Sequence, residues 1–93
     1  MHYLARMTET LLRDDDVILP GGDGRIVAAP GVCGGRPRIR GTRVTVADLL
    51  NALAAGDTID GIANDLPYIS REDVLAALKY AASNIDQSAS AAA

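Results

Sequence analysis

Three apolar stripes at helical spacing, separated by links of four residues, limit what this chain can fold into more than any other feature. Val46, Leu49, Leu50 and Leu53 follow i, i+3, i+4, i+7. Ile59, Ile62, Ala63 and Leu66 repeat the spacing, and Val74, Leu75, Leu78, Ala82 and Ile85 give a third stripe. Each predicts a helix with one face to bury. The links at 55–58 and 67–70 force the helices together, as in an αα-hairpin or helix-turn-helix. The boundaries carry their own signals. Thr45 and Ser70 each precede an aspartate by three residues, Asp48 and Asp73, so both read as N-caps of a capping-box kind. Asp57 or Thr58 caps the middle helix. Gly56 ends the first helix as a left-handed stop, and Pro67 ends the second. Val74 to Ile85 is expected to be the buried stripe of the third.

Upstream the pattern changes from helical to extended. Val17-Ile18-Leu19 and Arg25-Ile26-Val27-Ala28 flank Pro20-Gly21-Gly22-Asp23-Gly24, which predicts a hairpin over 17–28. In Gly34-Gly35-Arg36-Pro37-Arg38-Ile39-Arg40-Gly41-Thr42-Arg43, arginines fall at alternate positions between glycine turns. Read as a strand, Arg36, Arg38 and Arg40 line one face, with Pro37 and Ile39 on the other. Arg43 adds a fourth charge where the strand gives way to the helix. Residues 1–43 carry seven arginines against five acids, whereas 44–93 carry two cations against seven acids. A basic stretch and an acidic helical half therefore occupy one small chain.

The run GGRPRIRGTRVTV resembles the signature of the domain-of-unknown-function 433 family. Many of its members are small prokaryotic proteins read as VapB-type antitoxins. Leu53-Ala-Ala-Gly56, Leu66-Pro67-Tyr68-Ile69-Ser70 and the segment from Asp73-Val74 to Ala81-Ala82 fit the same pattern, so the resemblance covers roughly residues 25 to 83. It implies a helix-turn-helix-like domain that forms a homodimer, binds operator DNA and neutralises a PIN-type ribonuclease toxin. The expected fold is mainly α: a three-helix helix-turn-helix bundle, homeodomain-like or winged, with a short N-terminal β element. Residues 1–24 form an extension, 25–86 the domain and 87–93 a tail.

The candidate DNA contacts are Arg36, Arg38, Arg40 and Arg43, together with Ser70, Arg71 and Lys79 on the third helix. Arginine binds phosphate bidentately, which suits the strand. Arg71 opens the candidate recognition helix, but Glu72 and Asp73 beside it repel phosphate, and Ser70 with Asp73 also reads as capping alone. The arginines have a structural reading too, paired with Asp14–Asp16 of the same chain or with Asp57, Asp60 and Asp65 of a neighbour; Arg43 is the expected structural one. Tyr3, Leu4, Met7, Leu11 and Leu12 supply apolar anchors before residue 17, over a short helix at 4–13, with Arg6 and Arg13 as charges. Arg6, Leu11, Leu12 and Arg13 are therefore the candidate toxin contacts, an arginine reaching the acidic nuclease site. The alternative is that residues 1–16 extend the core of the other subunit.

Other classes find no support. Cys33 is alone and His2 is the one histidine, so the chain holds no zinc cluster and no Cys/His catalytic pair. Gly21-Gly22-Asp23-Gly24 lacks the lysine and helix of a phosphate loop. No cofactor, metal or enzymatic activity is expected. Three tyrosines, with no Phe or Trp, offer no stacking platform for single strands. No apolar run is long enough to span a membrane, which leaves the cytoplasm as the expected compartment. The competing class is a protein-interaction or dimerisation module that binds no DNA.

Overall fold

The structure, a computed structural model, describes residues 13–92, with side chains as far as residue 86. The expected helix at 4–13 and the candidates Arg6, Leu11 and Leu12 lie outside the described residues, as does nearly all of the 1–16 segment. Strands β1 (Val17–Ile18), β2 (Ile26–Ala28) and β3 (Arg38–Ile39) form an antiparallel sheet in the order β1-β2-β3. Val17 is paired with Ala28, Ile18 with Val27, Ile26 with Ile39 and Val27 with Arg38. Helices α1 (Val46–Ala54), α2 (Ile59–Asp65) and α3 (Arg71–Ala92) follow, with α1 and α2 both packed on α3. The β part is thus more than an N-terminal element, because its third strand comes from the arginine stretch.

One face of the sheet closes the core. Ile26 and Ile39, neighbours across β2 and β3, join Val46, Leu49, Ile62, Ile69, Val74, Ala76 and Ala77 in a single buried cluster. Ala76 and Ala77 bring two small side chains of α3 into this cluster.

Local chemistry sets the helix ends. Thr45 Oγ1 accepts the Asp48 N–H at 3.0 Å, and the Thr45 N–H donates to Asp48 Oδ2 at 3.1 Å, a complete capping box on a residue only 1 % exposed. Thr58, not Asp57, caps α2, its Oγ1 accepting the Gly61 N–H at 2.9 Å. A Cβ on Gly61 would lie 3.0 Å from that oxygen, so glycine inside the helix keeps the cap unhindered. Ser70 and Asp73 form the second box, at 3.1 and 2.9 Å. Gly56, at φ +107°, ends α1. Thr45→Ala is expected to cost about 1–2 kcal/mol. In a chain of this size that lowers Tm by roughly 4–8 °C per kcal/mol. Thermal denaturation checks it, with Thr45→Ser retaining most of the stability; equal losses for both would show that the methyl packing, not the cap, matters.

The third helix departs from its predicted face. Val74, Ala76 and Ala77 are buried, whereas Leu75 and Leu78 are half-buried, Ala82 is exposed and Ile85 is 67 % exposed. The expected buried stripe therefore holds at Val74, is half covered at Leu75 and Leu78, and fails at Ala82 and Ile85.

Candidate functional site

The arginine stretch is built as a tight loop, strand and turn. Gly34 and Gly35 both have positive φ, +68° and +78°, and Cys33 before them is left-handed at +51°. The Gly35 N–H donates to Val32 O at 2.9 Å and the Arg36 N–H to Cys33 O at 3.3 Å, which closes the turn. The chain then runs through β3 and reverses. The Ile39 N–H meets Val44 O at 2.9 Å and the Val46 N–H meets Pro37 O at 3.0 Å. Thr42 holds this reversal from inside, 5 % exposed: its Oγ1 donates to Ile39 O at 2.9 Å and accepts the Val44 N–H at 3.0 Å. Gly41, at φ +79°, makes the bend. Gly41 and Thr42 thus serve the turn, as the sequence suggests.

The four arginines have different fates. Arg38 is fully buried. Its Nε donates to Thr42 O at 2.9 Å, and its Nη2 reaches Asp16 Oδ1 at 2.8 Å, a carboxylate only 9 % exposed. The expectation that Arg36, Arg38 and Arg40 share one open face fails at Arg38, which has no access to phosphate in the folded chain. Arg38, rather than Arg43, is the structural arginine. The reason is that β3 is covered on both sides: Ile39 faces the helices, and Arg38 lies beside Val27, itself 0 % exposed, on the opposite face. Of the acids weighed as partners, Asp16 is the one used.

Arg36, Arg40 and Arg43 remain exposed. Arg36 Nε donates to Cys33 O at 3.0 Å, which keeps the guanidinium near the loop while leaving its charge uncompensated. Among the described residues none of the three makes an ion pair, whereas every other arginine, and Lys79, does. Arg40 borders a cleft with Arg13, Asp14, Asp16, Ile18 and Val27.

The candidates on α3 sit in acidic surroundings. Arg71 Nη1 lies 2.6 Å from Asp60 Oδ1, with both side chains exposed. Lys79 pairs with Asp23 at 3.0 Å, also in water. Ser70 is occupied by its cap. Asp73, the other half of that box, also accepts Arg25 Nη1 at 2.8 Å and so ties α3 to the sheet. Arg25 was not singled out by the sequence pattern; an arginine after a turn and four dozen residues from its partner leaves no local signal. Arg13 grips Asp15 with Nε at 2.9 Å and Nη2 at 3.2 Å. That hydrogen-bonded contact raises the Arg13 pKa and lowers that of Asp15. Among the described residues no group of histidine, cysteine, aspartate or glutamate is placed to hold a metal, and no helix is long and apolar enough to cross a membrane.

Comparison with known proteins places the chain. A family model described as "Protein of unknown function (DUF433)" matches residues 26–81. The uncharacterized protein y4eO of Sinorhizobium fredii (strain NBRC 101917 / NGR234) is 34% identical over 59 residues, which is 63% of this chain and 27% of that protein. A crystal structure of a DUF433 member protein from Anabaena variabilis ATCC 29413 superposes with a TM-score of 0.63 at 36% identity, covering 68% of this chain and 62% of that one. The chain therefore spans about a quarter of the first relative and somewhat under two thirds of the second. The matched region begins at β2 and ends within α3, so it contains the whole arginine stretch.

Proposed function

This chain belongs to the DUF433 family, and from that premise we propose that it is a homodimeric, DNA-binding regulator of the VapB antitoxin kind, with α2 and α3 as a helix-turn-helix-like pair and a PIN-type nuclease as its protein partner. The observation that carries the DNA reading is the loop of three exposed arginines without an acidic partner, when the other lysine and arginine side chains among the described residues are matched. An unmatched guanidinium is ready for phosphate, since no internal pair has to break first. The opening turn of α3 is the poorer phosphate surface: Arg71 is held by Asp60, and Glu72 and Asp73 add negative charge. In this reading Arg36, Arg40 and Arg43 anchor the backbone, and Arg71 contributes to base selection after exchanging Asp60 for DNA. Lys79, paired with Asp23 in water, is secondary.

Toxin neutralisation falls to residues 1–16, with Arg6, Leu11, Leu12 and Arg13 as contacts. What supports a role for Arg13 is that its Nε and Nη2 both reach one carboxylate, that of Asp15.

The test is a gel shift on the DNA upstream of the protein's own gene, repeated across salt concentration. Arg40→Ala and Arg43→Ala are each expected to weaken binding to all sequences and to flatten the slope of log K against log salt by about one. Arg71→Ala is expected to reduce sequence preference with the smaller change of slope. Unchanged slopes for both loop variants would reject the arginine loop as the DNA surface. Absence of any salt-dependent shift would favour the interaction-module reading, for which the exposed Tyr68, at 61 %, is the feature in its favour.

A further inference from the structure

We propose that the outward stripe of α3 is the surface on which a second copy of this chain docks, helix against helix and antiparallel. Leu75, Leu78, Ala82 and Ile85 follow the three-and-four spacing of a two-helix seam, and at 100° per residue they span an arc of roughly 80°. Among the described residues none of the four belongs to the buried cluster; Leu75 and Leu78 are half-buried and Ala82 and Ile85 exposed. The same face carries the exposed Arg71 and Lys79, so the stripe lies among solvent-facing positions. A leucine pair and an isoleucine on such a face form an interface with one side missing.

Charge selects the occupant and its direction. Lys79 and Asp86 lie together on one flank of the stripe, seven residues apart. If two copies of α3 run antiparallel about a two-fold axis between residues 82 and 83, Lys79 of each falls opposite Asp86 of the other, giving two matched pairs. In a parallel arrangement this flank of one copy lies on the opposite side of the seam from the same flank of the other, so neither pair forms. Such an arrangement would also bring together the acidic first turns that hold Glu72 and Asp73. In the antiparallel register Ile85 comes within one turn of Ala82 and Leu78 of the other copy, and Ala82 near the axis lets the helices approach. The internal partner of Lys79, Asp23, is exposed and is no obstacle: such a pair in water holds its lysine weakly.

This surface belongs to the homodimer of the preceding section, yet it fails separately from the DNA reading: a dimer without DNA affinity leaves it standing. Sedimentation equilibrium of the full chain tests it, with far-UV circular dichroism to confirm folding. Ile85→Asp is expected to raise the dimer dissociation constant about 30-fold or more, as for a central apolar anchor. Asp86→Lys is expected to weaken the dimer several-fold by creating two repulsive pairs, and Lys79→Asp combined with it to restore most of the loss, because the swap re-forms both pairs. The swap decides the question even if Ile85→Asp misfolds. A dimer unaltered by Ile85→Asp overturns the proposal and moves the interface elsewhere, with the exposed Val17 and Ile18 of β1 the next surface. A wild-type chain that stays monomeric into the millimolar range overturns it too. If that monomer loses thermal stability on Ile85→Asp, the stripe is covered by the chain's own residues.

Discussion

Arg38→Ala is expected to lose about 3–5 kcal/mol of folding stability, the usual cost of removing one partner from a buried charge pair. For a small domain whose total is on the order of 5–10 kcal/mol, that leaves a large unfolded fraction at 37 °C. The substitution strips Asp16, 9 % exposed, of its guanidinium and removes the donor from Thr42 O at the reversal that shapes the arginine loop. It also empties the volume beside Val27. Arg38→Met should cost less, because the unbranched stem keeps most of the packing. The double variant Arg38→Met with Asp16→Leu should recover further, since an apolar pair of similar volume replaces a buried ion pair at little or no cost. Urea denaturation with a common m value checks the series. A loss under about 0.5 kcal/mol for Arg38→Ala, the range of ordinary surface changes, would mean that the guanidinium is not buried in solution.

The same variant separates structure from function in the arginine stretch. On the proposed DNA reading, Arg38→Ala should reduce binding only in proportion to the unfolded fraction, and an added osmolyte that restores folding should restore binding. Arg40→Ala should reduce binding in a fully folded chain. Four arginines of one residue type, within eight positions, thus divide into one that builds the loop and three that the loop displays.

The helices were legible because their signals are local. A threonine or serine three residues before an aspartate, a glycine after an apolar run and a proline after the next carry their geometry within one turn of chain. The structure shows both predicted boxes, with Thr58 chosen over Asp57. The hairpin at 17–28 was legible for the same reason, from Asp23-Gly24 between extended apolar runs. What alternation alone left unread was the depth of each face. An Arg-Pro-Arg-Ile-Arg strand has the pattern of a polar face and an apolar one, but β3 is only two residues long and both are buried. Burial of Arg38 depends on Asp16, twenty-two residues earlier, and acids so far away are indistinguishable in sequence from Asp57 or Asp60.

The third helix illustrates the opposite error. Its expected inward stripe was Val74, Leu75, Leu78, Ala82 and Ile85; Val74 is buried as expected, Leu75 and Leu78 are half-buried, Ala82 and Ile85 are exposed, and Ala76 and Ala77 complete the inward side. Hydrophobic spacing alone does not say how far along a helix the core extends, and the residues it leaves uncovered here, Ala82 and Ile85, belong to the seam proposed for a second copy.

Gly22→Ala is the second change expected to be severe, at about 1–3 kcal/mol and near the upper end, through overpacking. Gly22 is buried beneath the hairpin turn, and a Cβ there would lie 2.3 Å from Ile26 Cγ1, 2.9 Å from Ile26 Cβ and 3.5 Å from Tyr80 Cβ. Ile26 cannot yield easily. It is 0 % exposed, paired with Ile39 across the sheet, and β-branched, so its first torsion is confined. The methyl therefore has to push β2 away from α3 or push the turn outward, breaking the Arg25 N–H bond to Gly22 O at 2.9 Å. Gly24→Ala is the matched control. It sits two residues on, at φ +75°, with nothing within 4 Å of its added carbon, so it carries only the left-handed backbone cost of roughly 1–2 kcal/mol. A double-mutant cycle separates the two mechanisms. Ile26→Ala removes Cγ1, the nearer of the two atoms that the added methyl strikes, and leaves only Cβ at 2.9 Å, so the pair should be less destabilised than the sum of the single changes by at least about 0.5 kcal/mol. Additive losses would assign the cost at Gly22 to its backbone instead of to the packing of the hairpin on α3.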